Sequence, residues 1–222
     1  MNTKNRDFYK DVFGELKRWG LLLESDPRLP SVCTVISGEP MKGSWWSHPM
    51  AQTIFQVNER LDDHPDVLIA KLLAGKVTFV HRQLWPALLA VAISEEPWQM
   101  RHLPDSAQKV LKFLKSAGSV RSDELRIGTV GRKELSESVR ILERRLLIHS
   151  EQVHTESGAH AKVLESWESW AASAKVKIGK IAVADAKKSF EQRVRELNDA
   201  FNGKVTLPWQ TKLLLSKGSP ER

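Results

Sequence analysis

The chain has 222 residues, 41% hydrophobic and 27% charged, which supports one or two packed cores and excludes a disordered chain; its single cysteine, Cys33, excludes an intrachain disulfide. No uncharged apolar run reaches about 18 residues, and Met1-Asn2-Thr3-Lys4-Asn5-Arg6 holds no apolar signal core, so a cytoplasmic protein with no membrane partner is expected. The net charge of +7 is uneven, residues 1–100 carrying 11 Lys and Arg against 12 Asp and Glu and residues 101–222 carrying 23 against 15, the imbalance of a half that meets polyanions or of a well-solvated basic surface.

Residues 7–23 predict an amphipathic helix, because Phe8, Val12, Leu16, Trp19 and Leu23 recur at helical spacing. Residues 31–37, β-branched and bounded by Pro30 and Gly38, predict a strand. A second helix is expected from a Ser47 cap, with Pro49 in its first turn and Ile54, Val57 and Leu61 inward, to Asp62-Asp63-His64-Pro65. Residues 67–73 and 76–81 flank Ala74-Gly75 as a hairpin, although Leu68 to Leu73 also suits a helix. Residues 82–93 predict a helix, and Glu95-Glu96-Pro97 marks a domain boundary.

Beyond it, Ala107, Val110, Leu111 and Leu114 define a helix stopping at Ala117-Gly118. Ser122-Asp123-Glu124-Leu125 predicts a short second helix, capped by Ser122. After Gly128-Thr129-Val130-Gly131, residues 132–147 predict a third helix with Leu135, Val139, Leu142 and Leu146 inward. Residues 147–154, a turn at Glu156-Ser157-Gly158-Ala159 and residues 160–164 complete a hairpin. Three helices followed by a hairpin is the order of a winged helix-turn-helix, whose third helix enters the major groove. In residues 184–202, Phe190, Val194, Leu197 and Phe201 line one helix face, and Gly203 is the expected stop.

The fold class expected is therefore α+β: an N-terminal domain of helices and a β-hairpin over 1–97, a winged helix-turn-helix over 98–170, and a basic helical C-terminal segment over 171–222. On this reading Arg132, Lys133, Ser136, Arg140 and Arg144 enter or flank the major groove. Lys162 on the wing and Lys187, Lys188, Arg193 and Arg195 meet backbone phosphate. Glu134, Glu137 and Glu143 share the third helix and oppose this reading wherever they face DNA.

Gly43-Ser44-Trp45-Trp46-Ser47-His48-Pro49 sets two aromatics, a hydroxyl and an imidazole at a helix entrance, a group able to stack a base or, equally, to plug the core. Lys76-Val77-Thr78-Phe79-Val80-His81-Arg82-Gln83-Leu84-Trp85-Pro86 places His81 and Arg82 at a strand-to-helix junction, where Arg82 suits a phosphate or a surface salt bridge. Trp45, Trp46, Ser47, His48, His81 and Arg82 thus form a candidate second contact. His64-Pro65-Asp66 with Cys33 or His81 lacks the spacing of a metal site, so neither metal nor cofactor is expected. His149, His154 and His160 alternate along the wing as exposed strand residues.

These two stretches, with Leu207-Pro208-Trp209, resemble a group of bacterial winged-helix proteins related to the AlkZ/YcaQ DNA glycosylases, over most of the chain. The resemblance implies winged helices and work on alkylated or crosslinked DNA. The glycosylases' catalytic Gln-x-Gln or Gln-x-Asp signature has no counterpart here: Gln52 and Gln56 lie four apart, and Glu59, Asp62, Asp63 and Asp66 read as helix-end and turn residues. The function expected is DNA binding in repair or genome maintenance, without catalysis assigned. A base-excision enzyme and a winged-helix protein adaptor are the alternatives, and the partners are double-stranded DNA and, for a homodimer, a second copy of the chain.

Overall fold

A computed structural model describes residues 7–41, 43–154 and 160–210. Helix α1 (Phe8–Trp19) starts where the Asp7 carboxylate accepts the Lys10 N–H and ends at Gly20, φ 76°. A Cβ at Gly20 would lie 2.8 Å from both Gln83 Nε2 and Leu84 Cδ1, so this left-handed turn needs glycine. The helix therefore does not run on to Leu23 as its periodicity predicts; Leu21–Leu23 form strand β1.

The strand expected at 31–37 is a helix, α2 (Val32–Ser37). Ser31 Oγ accepts the Thr34 N–H and Thr34 Oγ1 accepts the Ser31 N–H, a reciprocal cap, while Val32, Cys33 and Ile36 bury one helical face. That cap and burial override β-branched propensity. Ser47 is likewise not the cap of the next helix. Trp45–Ser47 make a 3-10 turn capped by Ser44, and α3 (Ala51–Asp62) begins after Met50.

Strands β2 (Val67–Lys71) and β3 (Val77–His81) form the expected antiparallel hairpin, turning through Ala74 (φ 50°) and Gly75 (φ 69°). β1 pairs with the free side of β3, giving the order β1-β3-β2. Alternation then divides the sheet: Leu22, Val67 and Phe79 join α1, α2 and α3 in one core, while Leu21, Leu23, Leu68 and Val80 join a second.

That second core holds α4 (Trp85–Ala92) and, from the far end of the chain, α8 (Trp167–Ser173) and α9 (Val183–Phe201) through Trp167, Phe190, Val194 and Leu197. The C-terminal helix is thus built into the N-terminal core. Its left-handed stop is Asn202, φ 49°, rather than Gly203, whose Cβ position lies 2.6 Å from Leu29 Cδ2.

A third core joins α6 (Asp105–Ala117), α7 (Arg132–Arg144) and a second antiparallel sheet. This sheet has the order β4-β6-β5, with β4 at Ser119–Arg121, β5 at His149–His154 and β6 at His160–Glu165. Residues 122–125, expected as a short helix, make a turn in which both the Glu124 and the Leu125 N–H bond the Arg121 carbonyl. Pairing of Ser119–Arg121 with β6 takes the residues that would have led into a helix. Helix α5 (Pro97–Met100) ties the parts together: buried Gln99 Nε2 donates to the carbonyls of Ala92 (3.2 Å) and Arg145 (3.1 Å), and Arg145 Nη1 donates to those of Gln99 (2.7 Å) and Arg101 (2.8 Å). No helix among the described residues is long and apolar enough to cross a membrane.

Candidate nucleic-acid interface

Helix α7 divides its residues as its spacing predicts. Leu135, Val139 and Leu142 are buried, Ser138 Oγ meets Ser106 Oγ of α6 at 2.9 Å, and Arg132, Lys133, Ser136, Arg140 and Arg144 are exposed. Gly131 caps the helix without a side-chain bond, so the positive end of its dipole is open to an anion.

The charges on this face are not equivalent. Arg140 is ion-paired with Glu137, and the aliphatic part of Arg144 packs 3.9 Å from where a Gly75 Cβ would stand. Arg132 and Lys133 have no carboxylate partner among the described residues, and Ser136 Oγ donates to the Arg132 carbonyl at 3.0 Å. Among the described residues the cations left open are thus Arg132 and Lys133 in the first turn, where exposed Glu134 follows them, and Arg144 in the last.

Glu143, expected to compete with DNA, points inward instead. It is only 5% exposed, accepts the Ser150 hydroxyl at 2.5 Å and pairs with Lys162 of β6. Its place was legible, four residues after Val139 and one after Leu142. Its partner, 19 positions on in another element, was not. Lys162, expected to reach phosphate, thus already faces a buried carboxylate.

Behind this pair lies a seam between β5 and the edge strand β2. Burial pushes the Lys71 ammonium below the usual lysine range, Glu143 and Glu24 opposing the fall and Lys162 and Arg144 adding to it. Burial likewise raises Glu24, against Lys71 and a hydrogen bond from Trp45. At the adjoining end of α3, Asp62 is pushed up to about 6 by desolvation, then by the carboxylates of Glu151, Asp63 and Glu59, with His149 pulling the other way. One helical turn earlier, the buried amide atoms of Asn58 have no hydrogen-bond partner among the described residues. The sequence reads Asp62 as a helix-end residue and gives no signal for Asn58, because crowding between distant segments leaves no local pattern.

The wing histidines are not uniformly exposed. His149 is buried, 3.1 Å from Glu165 and against the rings of Trp167 and Trp170, both at 5.4 Å. The side chains of His154 and His160 and the expected turn at 156–159 lie outside the described residues.

On α9, Lys187 bonds Glu96 at 3.0 Å and stands over the Trp209 ring. Lys188 and Arg193 lie 3.8 and 3.7 Å from Asp185 and Glu196, loose exposed pairs that solvent screens, and Arg195 is exposed.

In the second motif, Trp45 is buried and Trp46 is 64% exposed, its ring stacked on Trp45 at 4.0 Å and 22°. Trp45 thus plugs the core, while Trp46 stands outside it. His48 Nδ1 accepts the Met50 N–H at 3.1 Å, and Ser47 Oγ donates to the Ser44 carbonyl at 3.3 Å. Buried His81 is held below its ordinary value by desolvation, and Arg82 makes a 2.8 Å salt bridge to Asp66. Gln52 and Gln56 both face solvent, away from the core that holds Ile54 and Leu61. Among the described residues no group of three or more His, Cys, Asp or Glu is placed to hold a metal ion.

Neither a curated protein nor a solved structure matches the chain. A family model described as AlkZ related matches residues 7–206, and over that span the chain belongs to the AlkZ-related family.

Proposed function

We propose that this is a DNA-binding winged-helix protein acting in DNA repair or genome maintenance. In this reading α6, the turn at 122–125 and α7 are the helix-turn-helix, and β4, β6 and β5 are the wing sheet. The working divisions of the molecule in this reading are an N-terminal α+β part over 1–97, the winged helix over 98–170 and a basic helical segment over 171–222 whose α9 packs into the N-terminal core. The observation that carries the reading is the first turn of α7, where Arg132 and Lys133 stand without carboxylate partners among the described residues, beside a helix N-terminus with no side-chain cap. Family membership favours the same reading.

Duplex backbone is met first by Arg132, Lys133 and Ser136, then by Arg140 once it exchanges Glu137 for phosphate. Arg195 with Lys188 and Arg193 supplies weaker contacts, and Trp46 offers an exposed ring on which an unpaired base stacks. Lys162, Lys187 and Arg82, already engaged within the fold, contribute least. Titration of a fluorescent duplex at several salt concentrations tests this. Arg132→Ala and Lys133→Ala should each flatten the plot of log affinity against log salt by roughly one unit. Slopes equal to the parent's remove α7 from the interface.

One observation favours base excision as a second reading: the unpartnered amide of Asn58 and the raised carboxyl of Asp62 sit one turn apart on α3. Abasic sites appearing in alkylated duplex, and lost in Asp62→Asn, would support it; intact duplex after long incubation would reject it.

A further inference from the structure

We propose that the cleft between α7 and the wing sheet is a binding site for a small amphipathic anion, a flat apolar body bearing one negatively charged group. The cleft measures about 590 Å³, within the range of roughly 300–1,000 Å³ that small-molecule sites occupy. Its floor is apolar, made by the edges of Leu125, Leu135, Val139 and Ala161. Its rim is cationic, with Arg126 from the preceding turn and Arg132 from the start of α7.

Among the described residues the charge at the mouth is only partly cancelled, by the attraction of the Asp123 carboxylate for Arg126. Arg126 Nη1 is anchored by two 2.8 Å bonds to the backbone carbonyls of Asp123 and Leu125, which position its charge without neutralising it. The Asp123 carboxylate on the same rim is held by Arg121 through bonds of 3.1 and 2.7 Å, and Lys162 is matched by Glu143. The surplus is therefore positive and carried by Arg126 and Arg132. A phosphodiester backbone satisfies such a rim but gains nothing from a Leu and Val floor; a ring system with an attached anion satisfies both.

Arg132 and Ser136 belong to the cleft and also to the outer face of α7, so ligand and duplex exclude one another. This clause alone rests on the DNA reading, and linkage makes the effect reciprocal.

The test uses the full chain and 8-anilinonaphthalene-1-sulfonate, an aromatic sulfonate whose emission rises in apolar surroundings. One saturable site is expected. Arg126→Glu and Arg132→Glu should each weaken it about tenfold or more, the order of one charge-assisted bond. Ser136→Trp, which fills the cleft from an exposed position, should abolish it. The uncharged analogue N-phenyl-1-naphthylamine should bind at least about tenfold more weakly. Melting temperatures verify that each variant folds, and the two arginine variants suffice where Ser136→Trp does not. Non-saturating emission, or unchanged affinity in the folded arginine variants, overturns the proposal. Duplex binding is measured separately without the probe, so failure of the DNA reading leaves the cleft result intact.

Discussion

The outer face of α7 and the seam beneath it carry the same kinds of side chain under opposite conditions. On the seam, Lys162 and Lys71 face the Glu143 carboxylate inside a crowded junction of β2, β5 and β6, and the charges answer one another. On the outer face, Arg132 and Lys133 are solvated and meet no carboxylate among the described residues. Charge buried between elements holds those elements in register; charge left open at a helix start is available to a polyanion. A net charge of +7 does not distinguish the two, and burial does.

The sharpest way to break the comparison is to remove the buried acid. Glu143→Ala leaves Lys162 and Ser150 without their carboxylate and Lys71 with Glu24 alone, and should lower unfolding free energy by about 3 kcal/mol, the low end for a broken buried pair because Lys162 retains solvent. Urea denaturation reads this, and a loss below about 0.5 kcal/mol would place the pair with ordinary surface bridges. Trp46→Ala removes the outer ring of a stacked pair, with an expected loss of about 1 kcal/mol, and should weaken binding to single-stranded more than to duplex DNA. Arg140→Ala breaks an exposed pair with Glu137 and should change stability by less than about 0.5 kcal/mol, so any effect it has on duplex affinity is read without a folding correction.

Asp62 sharpens the contrast along the pH axis. Its carboxyl is raised from 3.8 to about 6, so between these values the folded state binds the proton that the unfolded chain releases. This group's contribution to stability is therefore most favourable below about pH 4 and declines as pH rises through about 6. Asp62→Asn should remove that decline, giving a flatter dependence of melting temperature on pH across this window. A variant with the parent's slope would assign the effect to other groups.

Much of the helical fold was legible because a one-sided apolar period survives whatever packs against it. The inward residues of α6 are those their spacing predicts, those of α7 and α9 are so except at the last turn, where Leu146 falls beyond the helix end at Arg144 and Phe201 stands exposed, and β2 and β3 pair about Ala74-Gly75. Short elements were another matter. Residues 31–37 became a helix through a Ser31–Thr34 cap, and β4 exists only because β6 offers an edge. Of the candidate site, the faces of α7 were legible; the commitment of Lys162, Lys187 and Arg82 to Glu143, Glu96 and Asp66 was not.

By itself, the sequence determined the central inward residues of the long helices though not those at their ends, where the basic charge accumulates, and that an aromatic pair stands ahead of α3, since all of these are local or cumulative properties. Tertiary structure alone decided that α9 completes the N-terminal core, that Trp46 rather than Trp45 meets solvent, and which cations remain unanswered. Each of those depends on groups far apart in the chain arriving at one place, where desolvation and pairing act only after folding has brought them together.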